Sequence, residues 1–241
     1  MWYKLKRILI YPDGVTEKQV YPAWWKPWAN TIAYYPLTST STVNDMSGNS
    51  RNLTNNWTLF GTYGWVDCAY FDNTNSKKLY WTLPLTWNQT FTVNVYVQRK
   101  WWIYTNDNPN IFTLGSIWTT WRCFWVWAEW NNYYYQFYTR GTDWISTTVN
   151  TLDTWEMLTV TNDGSKITLY KNTTQILQQS VTLDVNDTKF TIGSFPTMAS
   201  WNGSWYRYNW YMSQFIVENR AWTADQIAWY YNQTKSLYWL S

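Results

Sequence analysis

The placement of glycine and tryptophan is the feature that most restricts how this sequence can fold. The chain of 241 residues contains 23 tryptophans but only nine glycines, although glycine makes up about 7 % of an average protein. Many of the tryptophans stand beside Asn, Thr, Ser and Glu, for example within residues 116–132 and 199–211. Such neighbours are typical of turns, where glycine is favoured because it alone adopts positive φ without steric strain.

We interpret this pattern as glycine encoded by a codon, most simply UGA, that the translation assigns to tryptophan. The alternative is a chain that is truly rich in tryptophan. Turn-like contexts make these positions suspect: Trp24, Trp25, Trp57, Trp65, Trp87, Trp101, Trp102, Trp118, Trp121, Trp130 and Trp210. Apolar, patterned contexts indicate that Trp28, Trp155 and Trp222 are true tryptophans.

The interpretation predicts the structural surroundings of both groups of tryptophans. Trp155 is expected to be buried, because a true core tryptophan packs a large apolar area and finds a partner for its N–H. Turns or strand ends, some with positive φ, and exposed indoles are expected at four suspect positions: Trp57, Trp87, Trp130 and Trp210.

The weak charge of the chain restricts its partners. Charged residues make up 14 % of the sequence and the net charge is +3, which fits neither a disordered acidic chain nor a strongly basic nucleic-acid binder. Basic clusters at residues 4–7, 77–78 and 99–100 have aromatic neighbours, as single-strand stacking platforms do. Three scattered clusters are more typical of solvated turn ends, so we expect no nucleic-acid partner.

The N-terminal segment carries no export signal that we can identify. The apolar run at residues 8–11 is too short for a signal peptide or a membrane span, so we expect no membrane insertion. Three routes remain open: the protein stays inside the cell, is part of a longer exported chain, or reaches the outside within a particle assembled in the cytoplasm. We favour an extracellular, cell-surface or virion-associated location. Cys68 and Cys123 both lie in apolar strand-like runs, which favours buried free thiols. A disulfide between them requires that their strands are neighbours.

Strand patterns recur about every ten residues from residue 32 onward, separated by turn residues, which is typical of a β-sandwich or jelly roll. In FTVNVYV at residues 91–97, alternation places Asn94 and Tyr96 on the polar face of a half-buried antiparallel strand. One short C-terminal helix is predicted at residues 223–230, since Thr223 and Gln226 have the spacing of a capping box. Residues 1–31 are predicted to form an N-terminal hairpin and linker, followed by one all-β domain at residues 32–241.

Short motifs connect this pattern with a known family. Three of them open the domain: AYYPL at residues 33–37, DMSGN at 45–49 and AYFDN at 69–73. Four more follow: residues 155–164, 165–170, 210–215 and 219–227. Together they resemble the laminin-G-like jelly-roll domains of the concanavalin A-like lectin/glucanase superfamily across residues 32–235, with Trp210 in the place of a family glycine. The resemblance implies a two-sheet antiparallel jelly-roll sandwich and, often, a sheet face that binds carbohydrate.

The resemblance also raises the question of calcium. Ser213 and Gln214 stand where the family commonly has Asp-Glu, so one carboxylate that helps to hold calcium in relatives is missing. The remaining candidate oxygen ligands are Asp45, Asn49 and Asp72, although a Ca²⁺ site takes about six to eight oxygens. The alternative is structural, because Asp45 and Asn49 suit an Asx-type turn and Asp72 suits a strand end.

Enzymatic activity is not expected. The chain contains no histidine, which excludes His-dependent triads and His-ligated metal sites. Retaining glycosidases need two cooperating carboxyl groups, whereas Glu17, Glu129, Glu156 and Glu218 are isolated in the sequence. A relation to the glycoside hydrolases is therefore the less favoured reading.

Two functions remain. The first is a non-catalytic carbohydrate-binding or adhesion module whose partner is a glycan or a cell-surface polysaccharide, because aromatic planes stack on sugar rings while amides and Arg pair with hydroxyls. The candidate ligand-binding residues are Asn94, Tyr96, Gln98, Tyr134, Gln136, Tyr138 and Arg140. The alternative for each is that it only covers the sheet. The second function is a structural or display domain of a surface or virus-like particle protein, attached to other chains through residues 1–22 by strand addition.

Overall fold

The fold is known from a computed structural model. The residues it describes are 28–71, 77–82, 89–99, 110–115, 124–128, 134–139, 142–149, 153–180, 183, 189–193 and 210–240. In strands 124–128, 134–139 and 142–149 the description is of the backbone. The hairpin predicted within residues 1–22 lies outside these ranges, as do Asp72, Cys123 and Arg140.

The described strands, numbered in chain order, form two antiparallel sheets. Sheet A has eight strands: β13 (Thr174–Ser180), β12 (Lys166–Lys171), β11 (Trp155–Asn162), β6 (Phe91–Arg99), β15 (Trp210–Glu218), β4 (Val66–Phe71) and β3 (Leu59–Tyr63) in spatial order, with β1 (Thr31–Tyr35) also paired to β15. Sheet B has seven strands in the order β10 (Thr142–Val149), β9 (Tyr134–Thr139), β8 (Phe124–Ala128), β7 (Asn110–Leu114), β14 (Lys189–Ile192), β5 (Lys78–Thr82) and β2 (Thr54–Asn56). The predicted all-β protein with two antiparallel sheets is confirmed.

The main core lies between the two sheets. Alternation along β6 turns Val93, Val95 and Val97 inward, and all three are buried. Phe215 of sheet A contacts two aromatic rings of sheet B edge to face, at centroid distances of 5.7 Å to Phe112 and 5.2 Å to Phe190. Each fully buried side chain of this size contributes about 1.5–3 kcal/mol, so the inward faces of the two sheets hold the β-sandwich together.

The predicted C-terminal helix is also present. Helix α1 (Ala224–Thr234) begins with the predicted capping box, in which the Gln226 amide donates to Thr223 Oγ1 at 3.2 Å and the Thr223 amide donates to Gln226 Oε1 at 3.0 Å. It runs four residues beyond the predicted end and continues as a 3₁₀-helix (Lys235–Tyr238). The residues that it buries follow helical spacing: Ile227, Tyr230, Tyr231 and Thr234. Within the described ranges, no helix is long and apolar enough to cross a membrane.

The buried carboxylate of Glu218 connects strands β1 and β15 with the segment that leads into α1. Glu218 accepts hydrogen bonds from Thr31 Oγ1 at 3.0 Å, Arg220 Nε at 2.8 Å and Trp222 Nε1 at 2.7 Å. The Arg220 guanidinium also lies 4.7 Å from the Trp28 ring, which packs on Trp222 at 5.0 Å. Charge-assisted hydrogen bonds of this kind are short and strong. They fix the direction in which the chain leaves β15 for the helix.

The tryptophans only partly follow the prediction. Trp57 and Trp65 have φ of 63° and 76° and are 73 % and 74 % exposed, as expected for positions that suit glycine. Trp155 is buried, as predicted. The prediction is wrong for Trp210, which is fully buried because the first residue of β15 turns its indole into the core. Trp87 and Trp130 lie outside the described residues.

The sequence missed one tryptophan of the same kind. Trp239 follows the 3₁₀-helix with φ of 58° and is 77 % exposed. Its neighbours Tyr238 and Leu240 are apolar, so the turn-like context that marked the other positions is missing. Cys68 is buried, as the apolar run around it indicated.

Candidate functional site

The outer face of sheet A, turned away from the sandwich core, is largely covered by the C-terminal helices. Tyr96 hydrogen-bonds Thr234 Oγ1 at 2.5 Å through its hydroxyl, and its ring stacks on Tyr238 with the centroids 3.8 Å apart. Asn94 donates through Nδ2 to Thr159 Oγ1 at 2.7 Å. Neither Asn94 nor Tyr96 reaches solvent. Tyr96 therefore helps to hold the helices on the sheet, Asn94 pairs with the neighbouring strand β11, and neither of these predicted ligand-binding residues is at the surface.

The physical reason for this correction lies in the neighbouring strands. Cys68, Met157 and Ile216 project from β4, β11 and β15 to the same side as Tyr96 and form a second apolar cluster. A sheet face of that composition is unfavourable in water, and the apolar side of α1 covers it. The helical spacing of Ile227, Tyr230 and Tyr231 was the sequence signal for such a cover.

Beyond the end of this cover, the surface contains a cleft of about 450 Å³. Its lining comes from four places in the chain: Gly64 and Trp65, Gln98, Asp153 to Trp155, and Tyr238 with Trp239. The volume lies within the range of about 300–1,000 Å³ that is usual for small-molecule sites. Aromatic and polar groups thus meet in one concavity.

The floor of the cleft is rigid. Trp155 and Tyr238 are almost fully buried, with ring centroids 5.1 Å apart. Gln98 lies directly opposite Trp155 in the β6–β11 register and donates through Nε2 to the Asp153 carbonyl oxygen at 2.8 Å. Gln98 is half-buried, and it is the predicted ligand-binding residue of β6 that the structure leaves at the surface.

The walls of the cleft are two exposed tryptophans. Trp65 is in the turn between β3 and β4, after Gly64, and Trp239 follows the 3₁₀-helix. Both have left-handed backbone conformations and are about three-quarters exposed. The polar groups beside them are the Gln98 amide and the exposed Asp153 and Thr154.

The other predicted ligand-binding residues lie elsewhere. Tyr134, Gln136 and Tyr138 are on β9, opposite Val149, Trp127 and Trp125. Strand β9 belongs to sheet B, whereas β6 belongs to sheet A. The two sets of residues therefore do not share one sheet surface, because parity along a strand does not reveal the sheet to which it pairs. Arg140 lies outside the described residues.

Of the predicted calcium ligands, Asp45 is occupied by backbone amides and Asp72 lies outside the described residues. Asp45 Oδ1 accepts from the amides of Tyr34 at 3.0 Å and Ser47 at 2.9 Å, and its Oδ2 accepts from the Arg51 amide at 3.0 Å. Asn49 donates through Nδ2 to the carbonyl of Ile32 at 3.0 Å. This geometry matches the turn alternative. In the part of the chain that the structure describes, no three His, Cys, Asp or Glu side chains could hold a metal ion together.

Comparison with known proteins gives a structural relationship alone. No family model matches the sequence. No curated protein matches it either. Among solved structures, the botulinum neurotoxin serotype D binding domain has a TM-score of 0.65 and 14 % identity, covering 84 % of this chain and 51 % of that one. The binding domain of Paraclostridial Mosquitocidal Protein 1 has a TM-score of 0.64 at 14 % identity, over 84 % of this chain and 52 % of its own.

A third similar structure is a complex with a named ligand. It is the binding domain of Botulinum Neurotoxin DC in complex with SialylT, with a TM-score of 0.63 and 11 % identity over 87 % of this chain and 52 % of that one. The chain thus spans about half the length of the structures it matches. At such identities the likeness concerns the fold.

These comparisons correct the family assignment. The predicted laminin-G-like, concanavalin A-like membership is wrong, since the matching structures are neurotoxin and mosquitocidal-protein binding domains. The sequence motifs pointed to the wrong family because they describe turns and strand ends, which unrelated all-β proteins also contain. DMSGN at residues 45–49, for example, is explained by the backbone contacts of Asp45. The chain shares its fold with these binding domains.

Proposed function

We propose that this chain is a non-catalytic module that binds carbohydrate in the cleft between Trp65 and Trp239. The observation that carries the proposal is the meeting of the Trp155 and Tyr238 rings with Gln98, Asp153 and Thr154 in a single concavity, an arrangement that does not depend on whether positions 65 and 239 are tryptophan or glycine. The C–H faces of a sugar stack on aromatic planes, while its hydroxyls pair with amide, carboxylate and hydroxyl groups. A rigid floor of Trp155 and Tyr238 keeps these groups in place without a ligand.

The structural neighbours support a binding function. Those reported above are binding domains by name, and one is described in complex with SialylT. Their similarity supports glycan binding in general. The position of the site in this chain follows from its own residues.

The chemistry of the cleft favours binding over hydrolysis. Asp153 is the carboxylate among its lining residues, and glycoside hydrolysis requires a second, cooperating carboxyl group. Glu156, the nearest glutamate in sequence, is buried and ion-paired with Lys171 at 2.7 Å.

The experiment is a glycan array probed with two forms of the purified protein. One form has the printed sequence, and the other has glycine at the left-handed, exposed positions 57, 65 and 239. Binding by either form, lost on Gln98→Ala without a change in thermal midpoint, supports the proposal. The two forms also show whether the indole walls contribute to affinity or whether the floor suffices.

If neither form of the protein binds any glycan on the array above background, the proposal is overturned. That outcome favours the display function, in which the sandwich is a structural part of a larger assembly. Binding that Gln98→Ala leaves unchanged also overturns it, since the glycan then lies outside the cleft.

A further inference from the structure

Three tyrosines form an aromatic platform on the outer face of sheet A, beside the cleft. Tyr63 of β3 stacks on Tyr211 of β15, with ring centroids 4.5 Å apart and planes inclined by 24°. Tyr70 of β4 lies 5.3 Å from Tyr63 and 5.1 Å from Tyr211. All three are partly exposed, whereas Tyr96 of β6 is buried against Tyr238 and Thr234 of the C-terminal helices.

Strand register makes the platform continuous with the cleft. Tyr211 is directly opposite Tyr70 on one side and Gln98 on the other, and Gln98 is directly opposite Trp155. Residues directly opposite each other in antiparallel strands project from the same face. With strands about 4.8 Å apart, the row of four residues spans about 14 Å, which exceeds the width of one sugar ring. Tyr63 also precedes Gly64 and Trp65 of the cleft lining.

The platform offers neutral hydrogen-bond donors as well as ring faces. Burial raises the pKa of Tyr211 to about 12, with smaller contributions from Tyr70, Cys68, Tyr63 and Asp153. The phenol therefore stays protonated at physiological pH and presents an aromatic plane with a polar edge. Both properties suit a sugar.

We propose that Tyr63, Tyr70 and Tyr211 form a second subsite, so that the chain binds an extended glycan that crosses the strands and places one sugar in the cleft and the next on the tyrosines. This inference rests on the proposed function and specifies the class of ligand.

Chain-length dependence of binding is the test. We would titrate cello-, malto- and galacto-oligosaccharides of one to six sugars by calorimetry. For the series that binds, affinity should rise about tenfold from the shortest bound member to the tetrasaccharide, as expected for an additional stacking contact. Tyr63→Ala and Tyr70→Ala should each remove most of this gain while preserving the affinity for the shortest member.

Tyr80→Ala is the matched control. Tyr80 is 40 % exposed and has Lys78 5.7 Å from its ring, much as Tyr70 has Lys77, but it belongs to sheet B. Its removal should leave the gain with length intact. Affinity that is independent of length, or a gain that survives in both platform variants, overturns the second subsite and leaves the proposed function standing. No binding of any series, together with a flat array, overturns both.

Discussion

At the scale of single residues, three tryptophans have a backbone conformation that is costly for any side chain. Trp57, Trp65 and Trp239 are left-handed and about three-quarters exposed, so little packing offsets a strain of about 1–2 kcal/mol per residue. Glycine adopts this conformation freely. The structure thus supports the codon interpretation at these positions, whereas the buried Trp210 gives it no support.

We predict that Trp57→Gly stabilises the protein by roughly 1 kcal/mol, the strain relieved less the added entropy of the unfolded chain. Urea unfolding would measure the change. Trp229→Gly is a suitable control, because this tryptophan is also partly exposed but lies within α1, where glycine should destabilise by about 1 kcal/mol or more, since the ring contact with Trp28 at 5.8 Å is also lost. Trp155→Ala should behave in the opposite way to Trp57→Gly and destabilise by about 3–5 kcal/mol.

A destabilising Trp57→Gly would contradict the interpretation. Mass spectrometry of the protein from its natural source would then decide the identity of each position. Tryptophan masses at 57, 65 and 239 would show that both walls of the cleft are indoles in nature. Glycine masses would show a wider cleft over the same Trp155 and Tyr238 floor.

At the scale of the elements, β14 ends in a close contact that only glycine permits. Gly193 has φ of +82°, and a Cβ at this position would lie 2.3 Å from Cδ1 of Phe71, a buried core ring. We predict that Gly193→Ala destabilises by about 2–4 kcal/mol, since backbone strain and overpacking act together. Gly48→Ala separates the two effects: its φ is +90° but nothing lies within 4 Å, so about 1–2 kcal/mol is expected. If thermal unfolding showed the same loss of stability for Gly193→Ala and Gly48→Ala, overpacking against Phe71 would contribute nothing.

The Glu218 junction gives a second prediction at this scale. Glu218→Ala leaves the Arg220 guanidinium and the Trp222 N–H without their carboxylate partner, and removing one partner from such a buried network costs about 3–5 kcal/mol. Thr31→Val removes one neutral hydrogen bond from the same carboxylate and should cost about 1 kcal/mol. Chemical denaturation would measure both. Similar losses for the two variants would show that the charged contacts add little.

Strand β6 shows what sequence patterns predict at this scale and what they do not. Alternation correctly separated Val93 and Val95 from Asn94 and Tyr96. It did not reveal that the second face is also covered, because that depends on Met157, Cys68 and Ile216 of strands that are distant in sequence. The helix was predicted from its capping box, but its docking site was not.

At the scale of the whole molecule, sequence patterns predicted the two antiparallel sheets and the helix, because strand alternation and the capping box involve residues that are close in sequence. The cleft depends instead on long-range pairing, because Trp65, Gln98, Asp153 and Trp239 meet only in the folded chain. Sequence reasoning found Gln98 alone among them. The family assignment failed for a related reason, since short turn motifs say little about the overall path of the chain.

The domain boundary between residues 31 and 32 remains a prediction at this scale. If residues 1–31 are a hairpin and linker, limited proteolysis should cut first near residues 23–26 and leave a protected product. The product masses and N-terminal sequences would identify the site. Protection of that segment would instead make the hairpin an integral strand of the sandwich. The described β1, which begins at Thr31 and pairs with β15, should stay in the protected product in either case.

The position of Tyr238 and Trp239 in the cleft has a consequence for the order of events during synthesis. Domains fold from the N-terminal side as the ribosome delivers the chain, yet the cleft joins a turn at residues 64–65 to residues 238–239. A nascent chain therefore lacks both the Tyr238 part of the floor and the Trp239 wall until those residues have left the exit tunnel. If the cleft binds carbohydrate as proposed, binding therefore requires that translation has passed residue 239.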